Sequence, residues 1–263
     1  MDNKQSDQSC KTDVNGSAVF HGDCLEIMKQ IPDESIDMIL CDLPYGTTAC
    51  KWDEIIPFNE LWIQYKRIIK TNGAIVLTAS QPFTSVLVNS NLKMFKHEWI
   101  WKKNKGSNFA NVKYSPFKEH ESVLVFSKGK LNYYPIKEER SEAGKNRIKY
   151  DFNFTGGGET MGMINKHQKK AFELQELRHP SSVQKFNTES GLHPTQKPVK
   201  LFEYFIKTYT KKNDLVLDNC AGSGTTGIAC INTNRNYILI EKEQKYIYII
   251  NNRISYANKI KSE

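Results

Sequence analysis

The chain has 263 residues, which is enough for one α/β domain that carries an insertion. Its hydrophobic fraction of 39% excludes a disordered chain, and no apolar run approaches the roughly 20 residues that cross a bilayer. The net charge of +8 favours an acidic partner such as a nucleic acid.

The first 17 residues are polar and contain no signal-peptide core, so we predict a flexible N-terminal tail on a cytoplasmic protein that makes no membrane contact. The six cysteines form no CxxC pair and do not cluster with histidines. This pattern predicts reduced thiols, and neither a disulfide framework nor a metal site.

Seven apolar, β-rich runs predict strands at residues 18–21, 36–41, 74–78, 98–101, 122–126, 215–217 and 237–240. Several of them are continuously apolar, which is typical of strands covered on both faces. Helical periodicity separates many of these runs, at residues 25–31, 59–70, 84–92, 199–208, 225–232 and 244–255, with Gly73 closing the second helix. The alternation predicts a mostly parallel, doubly wound sheet.

The tetrapeptide Asp42-Leu43-Pro44-Tyr45 follows the second predicted strand, at the edge where ligands bind in open α/β sheets. The Asp42 carboxylate and the Leu43 carbonyl can accept the two hydrogens of an amine on a flat heterocycle, while Tyr45 stacks on its ring. Holding both hydrogens favours a tetrahedral nitrogen whose lone pair can attack the methyl group of a sulfonium. The alternative is a plain turn closed by Pro44, in which Tyr45 only packs.

Residues 93–114 contain six lysines and one acidic residue, with aromatic side chains interleaved. Lysines that neutralise phosphates, beside aromatic faces on which bases stack, are typical of a nucleic-acid groove. We therefore predict DNA contacts at Lys102, Lys103, Lys105 and Lys113. The alternative is a solvated surface in which Trp99 and Trp101 belong to the core.

Residues 131–192 are polar, mixed in charge and without a sustained helical or strand period, and they include three consecutive glycines at 156–158. A connection of this length inside a compact domain is usually functional or disordered. We predict an insert on the ligand side of the sheet, with a merely mobile loop as the alternative.

A glycine-rich loop at residues 218–227 follows the strand at 215–217 and precedes a helix. Gly222 and Gly224 let the backbone approach a ligand closely, and the helix N-terminus offers free amide donors. Glu241 ends the next strand, where a carboxylate can accept hydrogen bonds from ribose hydroxyls. Asp218 and three further residues separate the first glycine from the strand, which argues against a dinucleotide site. The alternative is a tight turn that needs glycine only for its backbone geometry.

The tetrapeptide together with residues 218–226 resembles the amino-methyltransferases of restriction-modification systems and orphan DNA modification. Because the tetrapeptide precedes the glycine loop, the order is similar to that of the circularly permuted beta group. Gly22-Asp23-Cys24, His120-Glu121 and the segment 193–198 (HPTQKP) also resemble the family pattern in its expected order. Two departures are Leu43, where the family usually has proline, and Asn219-Cys220, where it usually has proline and phenylalanine.

The resemblance implies a Rossmann-like, circularly permuted, seven-stranded methyltransferase fold. Residues 18–130 and 193–263 would form the catalytic domain, and the insert 131–192 would recognise the DNA target. The implied cofactor is S-adenosylmethionine, with Asp23 near its adenine and the segment 193–198 near its methionine end. The residues assigned to the cofactor are Asp23, Cys24, Thr195, Gln196, Lys197, Asp218, Cys220, Ala221, Gly222, Ser223, Gly224, Thr225, Thr226 and Glu241.

The predicted function is site-specific methylation of adenine N6 in double-stranded DNA, with the target base flipped into the pocket. Adenine is favoured because an aspartate opens the tetrapeptide, whereas the family's cytosine-N4 enzymes more often begin with serine. Cytosine-N4 methylation is the alternative, followed by an RNA or protein amide methyltransferase and a non-catalytic nucleic-acid-binding relative. The resemblance is also compatible with a bacterial or phage origin, a cognate restriction endonuclease and a homodimer.

Overall fold

The computed structural model describes residues 10–12, 16–47, 53–142, 177–189, 191 and 196–262. The chain divides into a sheet unit, residues 1–134 with 182–263, and a small unit, residues 135–181. The predicted cofactor residue Thr195 and the glycines at 156–158 lie outside the described residues.

The described part of the sheet unit contains one nine-stranded sheet. Its strands are β1 (Cys10–Thr12), β2 (Ala18–His21), β3 (Ile36–Cys41), β4 (Ile69–Ala79), β5 (Phe95–Lys102), β6 (His120–Phe126), β9 (Val183–Lys185), β10 (Leu215–Asp218) and β11 (Asn236–Glu241). The helices that accompany it are α1 (Cys24–Met28), α2 (Phe58–Ile68), α3 (Phe83–Ser90), α4 (Val199–Tyr209), α5 (Thr225–Thr233) and α6 (Gln244–Ser262).

The strand order is β1-β2-β11-β10-β3-β4-β6-β5-β9. All neighbouring pairs are parallel except the pairs made by β1 and β6, which run antiparallel to their neighbours. The mostly parallel sheet that the sequence predicts is therefore present. Because β6 alone is reversed within the sheet interior, β2, β3, β4, β5, β10 and β11 all end at the same edge.

Each of the seven predicted strands is found, but the predicted count is two too low. The additional strands β1 and β9 lie at the two edges of the sheet. Cys10–Thr12, within the predicted tail, pairs antiparallel with β2. Val183–Lys185, within the predicted insert, pairs parallel with β5. Both are three residues long, too short to show a clear hydrophobic period.

Two hydrophobic clusters cover the two faces of the sheet, as the continuous apolar runs predict. Met38 and Leu40 point into the cluster that α4, α5 and α6 cover. Ile39 and Cys41, one residue out of phase, point into the cluster that α1, α2 and α3 cover. Since side chains alternate along a strand, a strand buried on both faces must be apolar at every position.

The second helix ends earlier than predicted. Helix α2 ends at Ile68 and β4 begins at the next residue, so that Gly73 lies inside a strand and does not close a helix. A Cβ at Gly73 would lie 2.8 Å from the carbonyl oxygen of Asp37, so the residue permits close approach of β4 to β3. Helix α6 extends to Ser262, beyond its predicted end at residue 255.

The small unit falls inside the predicted insert. Its described residues include β7 (Glu138–Glu139) and β8 (Leu177–Arg178), which pair antiparallel. An ion pair of 3.0 Å between Arg178 and Glu138 joins the two strands. Among the described residues of the whole chain, no helix combines the length and apolar character that a membrane span requires.

Candidate active site

A cavity of about 840 Å³ opens at the carboxyl edge of the sheet. It is bordered by segments that follow β2, β3, β4, β5, β10 and β11, because parallel strands deliver their ends to one edge. Of the predicted site residues, those that line it are Asp23, Cys24, Asp42, Leu43, Pro44, Tyr45, Lys103, Gln196, Lys197, Asp218, Cys220, Ala221, Gly222, Ser223, Thr225 and Glu241.

Five of the predicted site residues that the structure describes do not line this cavity. Thr226 is fully buried beneath the glycine loop, and Gly224 begins α5 in the left-handed conformation at φ 80°. A Cβ at Gly224 would lie 3.0 Å from Ile250, so this glycine serves loop geometry and helix packing. Lys102, Lys105 and Lys113 are exposed outside the cavity.

The tetrapeptide turn is held by a residue that the sequence does not reveal. The buried carboxylate of Asp53 accepts hydrogen bonds from the backbone amides of Tyr45 at 2.8 Å, Gly46 at 2.9 Å and Thr47 at 2.9 Å. Three amides converging on one carboxylate fix the backbone directly after the tetrapeptide. This arrangement goes beyond the plain turn closed by Pro44.

The Asp42 carboxylate lies in a dense hydrogen-bond network. Its Oδ1 accepts from the Tyr45 hydroxyl at 2.8 Å and from the hydroxyl of the buried Thr78 in β4. Its Oδ2 accepts from the Lys197 ammonium at 2.6 Å. Burial and the Asp42 charge raise the pKa of Tyr45 well above its usual value, so Tyr45 is a neutral donor.

Lys197 connects Asp42 to a second acid, Glu121 at the beginning of β6. The Lys197 ammonium lies 3.5 Å from Glu121 Oε2, and Glu121 Oε1 accepts a hydrogen bond from Lys103. Burial lowers the pKa of Lys197, but the two carboxylates outweigh it and the net shift is upward. Burial raises the pKa of Glu121, but the two ammonium groups outweigh it and the net shift is downward. Lys197 and Glu121 are therefore both charged near neutral pH.

Lys103 departs from its predicted contact with DNA. Its ammonium is paired with Glu121 and lies 4.9 Å from the centroid of the Trp101 ring. The side chain is only 8% exposed, so it cannot neutralise a phosphate on the surface. Trp99 and Trp101 are also buried, as the alternative interpretation of this segment, in which both belong to the core, predicts.

The Tyr45 ring forms one wall of the cavity. It stacks on Phe83, with ring centroids 5.0 Å apart and an interplanar angle of 24°. The Lys197 ammonium lies 5.6 Å from its centroid. The ring is thus fixed by Phe83 in a region that has room for a planar group.

The glycine loop and Glu241 line another part of the cavity. Glu241 accepts hydrogen bonds from the amides of Gly222 at 2.7 Å and Glu243 at 2.8 Å, which fix its carboxylate at the cavity. Burial raises the pKa of Glu241. Asp218 accepts from the Cys220 amide at 3.1 Å and from the Thr226 hydroxyl, so its main contacts stabilise the loop itself.

Asp23 caps helix α1 at the adjoining end of the cavity. Its Oδ1 accepts a hydrogen bond from the Leu25 amide at 2.9 Å, and Lys242 lies 3.7 Å from its Oδ2. Cys24 and Cys220 line the cavity nearby as free thiols. Hydrogen bonding between these two thiols and burial raise the pKa of Cys24, so it is not a thiolate near neutral pH.

A basic and aromatic loop projects between β5 and β6. Phe109 and Tyr114 are 81% and 82% exposed, and Lys105 and Lys113 are exposed beside them. The Asn108 side chain ties the loop together, because it accepts from the Lys118 amide at 2.7 Å and donates to the Pro116 carbonyl at 2.9 Å. Lys118 also lines the cavity, so this loop adjoins the site.

Comparisons with known proteins agree with this site. The family model described as DNA methylase, for N6 and N4 methyltransferases, matches residues 36–252. The Type II methyltransferase M.HinfI of Haemophilus influenzae is 32% identical, over 90% of this chain and 68% of that protein. The Type II methyltransferase M2.MboI of Moraxella bovis is 29% identical, over 92% of this chain and 89% of that protein.

The structure of the M1.HpyAVI-SAM complex superposes with a TM-score of 0.61 and 27% identity, covering 89% of this chain and 98% of that one. The fold is therefore that of the S-adenosylmethionine-dependent DNA methyltransferases. The chain belongs to the DNA methylase family that modifies exocyclic N6 or N4 amines.

Proposed function

We propose that this chain methylates N6 of adenine at a specific site in double-stranded DNA. The observation that carries the proposal is a single cavity that is lined both by Asp42 and Tyr45 and by the glycine loop and Glu241. One part of the lining thus offers a carboxylate to an amine, and the other offers a site for an adenosyl group.

S-adenosylmethionine is the cofactor, and the cavity fits it. Each oxygen of Glu241 already accepts one backbone amide and can accept a further hydrogen bond from a ribose hydroxyl. Gly222, at φ 51°, lets the loop backbone approach without a side chain in the way. When bound, S-adenosylmethionine supplies a methyl group on a positively charged sulfonium.

The tetrapeptide holds the amine. Asp42 accepts one amine hydrogen and the Leu43 carbonyl accepts the other, while Tyr45 stacks on the base. The nitrogen becomes positive as it forms its new bond to carbon, and the negative Asp42 carboxylate stabilises this charge. Asp42 Oδ2 is a suitable acceptor for the proton that the nitrogen then loses. The neutral thiols of Cys24 and Cys220 take no covalent part.

Access to an adenine in duplex DNA requires base flipping, which costs a few kcal/mol. The exposed rings of Phe109 and Tyr114, beside the cavity, offer faces on which neighbouring bases can stack. Lys105 and Lys113 on the same loop can neutralise phosphates. We assign target recognition to the insert. Four further points remain predictions from the resemblance: a cognate restriction endonuclease, a homodimer, a bacterial or phage origin, and the circular permutation.

The test is methyl transfer from labelled S-adenosylmethionine to unmethylated DNA, followed by hydrolysis and identification of the modified nucleoside. We expect N6-methyladenine from the wild type and no label from Asp42→Ala, which should still bind the cofactor. N4-methylcytosine as the product would refute the adenine assignment. Equal labelling by wild type and variant would refute the role of Asp42.

A further inference from the structure

Both oxygens of the Asp42 carboxylate are occupied before a base enters the site. Tyr45 and Thr78 donate to Oδ1, and the Lys197 ammonium donates to Oδ2 at 2.6 Å. Lys197 is buried, with 7% of its side chain exposed, so water does not readily replace this contact. Oδ1 already has two donors and Oδ2 has one, so an amine that binds Asp42 must either share Oδ2 with the Lys197 ammonium or displace it.

A buried acceptor lies ready for the displaced group. The Oε2 atom of Glu121 is buried and accepts no hydrogen bond of normal length, because its ion pair with the Lys197 ammonium spans 3.5 Å, whereas Oε1 of the same carboxylate accepts from Lys103. A buried carboxylate oxygen without a close donor is costly, so a shorter contact from the Lys197 ammonium to this atom would be favourable. The nearest donor is the Lys197 ammonium at 3.5 Å.

We propose that Lys197 is a positioning residue that moves between two carboxylates, holding Asp42 in the base-free enzyme and turning to Glu121 Oε2 when the amine arrives. The inference rests on the proposed function, because it requires an amine that binds Asp42. The movement needed is small, since shortening 3.5 Å to a normal charged hydrogen bond of about 2.8 Å displaces the ammonium by less than the length of a bond.

The exchange changes the electrostatics where the reaction occurs. While Lys197 is bound to Asp42, its positive charge cancels much of the field that the carboxylate presents to the cavity. After it turns to Glu121, Asp42 faces the amine with its negative charge less compensated, as a nitrogen that becomes positive requires. The shifts in the pKa of Lys197 and Glu121 keep both groups charged, so the exchange moves no proton.

A double-mutant cycle tests the exchange. In Glu121→Gln the neutral amide is a much weaker partner for the Lys197 ammonium than the carboxylate, so Lys197 stays on Asp42 and the single-turnover rate of methyl transfer should fall at least tenfold. In a Lys197→Met background there is no ammonium on Asp42 for Glu121 to attract. The same substitution should therefore change the rate less than twofold. Glu121→Gln removes the negative charge opposite Lys103 in both backgrounds, so that disturbance cancels in the comparison.

Cofactor affinity and melting temperature of each variant report on folding, and both should stay close to the wild type in Glu121→Gln. An equal loss of rate in both backgrounds would overturn the exchange and would indicate that Glu121 acts without Lys197. An unchanged rate in Glu121→Gln would also overturn it. A wild type that transfers no methyl group to DNA would refute the proposed function instead, and the inference with it.

Discussion

Asp53 gives the sharpest test of how the tetrapeptide is positioned, because it holds the turn without belonging to the motif. Its carboxylate accepts from the amides of Tyr45, Gly46 and Thr47 at 2.8 to 2.9 Å. Asp53→Ala removes all three acceptors at once. The side chains of Asp42 and Tyr45 stay in the sequence, but the backbone that aims them loses its restraint.

The magnitude follows from the exposure of the three amides. A hydrogen bond to a charged group contributes about 1.5 to 3 kcal/mol when its loss leaves a buried partner unsatisfied. Gly46 and Thr47 are exposed, so their freed amides can bond to water, whereas the amide of the half-buried Tyr45 cannot do so as easily. We therefore expect Asp53→Ala to destabilise the ordered turn by about 2 to 3 kcal/mol. This corresponds to a fall of about 30- to 150-fold in kcat/KM.

Asp53→Asn should be milder, with a loss of about fivefold, because its carbonyl still accepts from two amides while its NH₂ group faces the third. The assay is methyl transfer to DNA under kcat/KM conditions, with cofactor affinity measured in parallel. Glu60→Ala is the matched control, since it removes the same charge from an exposed residue that does not line the cavity. Activity of Asp53→Ala within threefold of the wild type would refute the reasoning.

Three further predictions address the ring, the loop and pH. Tyr45→Phe keeps the stack on Phe83 and loses one hydrogen bond to Asp42, so kcat/KM should fall no more than about tenfold, whereas Tyr45→Ala should lose at least about 100-fold. Phe109→Ala should weaken DNA binding in a gel-shift titration and leave cofactor affinity unchanged, because the ring is exposed outside the cavity. Burial raises the pKa of Asp218 to about 7 from a usual value of 3.8. The protonated Asp218 side chain therefore makes its full contribution to the stability of the fold below pH 3.8, and this contribution is lost as the pH rises through 7. Between pH 5 and pH 7, the free energy of unfolding of the wild type, measured by urea denaturation, should fall by about 2 kcal/mol relative to that of Asp218→Asn. If the two free energies changed with pH in parallel, the burial of this carboxyl group would be contradicted.

The parts of the site that could be predicted from sequence are those tied to strand ends. Asp42 follows β3 and Gly222 follows β10, and these neighbouring strands are parallel. Their carboxyl ends must meet, so a ligand site that involves both segments follows from the alternation of strands and helices. Glu241, at the end of β11, joins them for the same reason.

The parts that could not be predicted depend on side-chain direction or on an irregular segment. Asp53 lies after the tetrapeptide in a stretch without period, and nothing local indicates that it returns to the Tyr45 amide. Lys103 comes just after β5 ends at Lys102, so the pleat no longer sets its direction. A signal did exist for Trp99 and Trp101, because residues two apart in a strand share a face, and both face the core.

Glu121 shows why sheet order is needed to complete the site. In a parallel sheet, ligand-binding residues follow the strands, but β6 is antiparallel to β4 and β5, so its first residues lie at the ligand edge. Glu121 pairs in register with Trp101, and the Lys103 amide bonds to the carbonyl of Glu119 at 2.7 Å. Its backbone is therefore fixed by the ladder with β5, unlike that of a loop residue. A carboxylate with so little freedom is a suitable stationary partner for a lysine that moves.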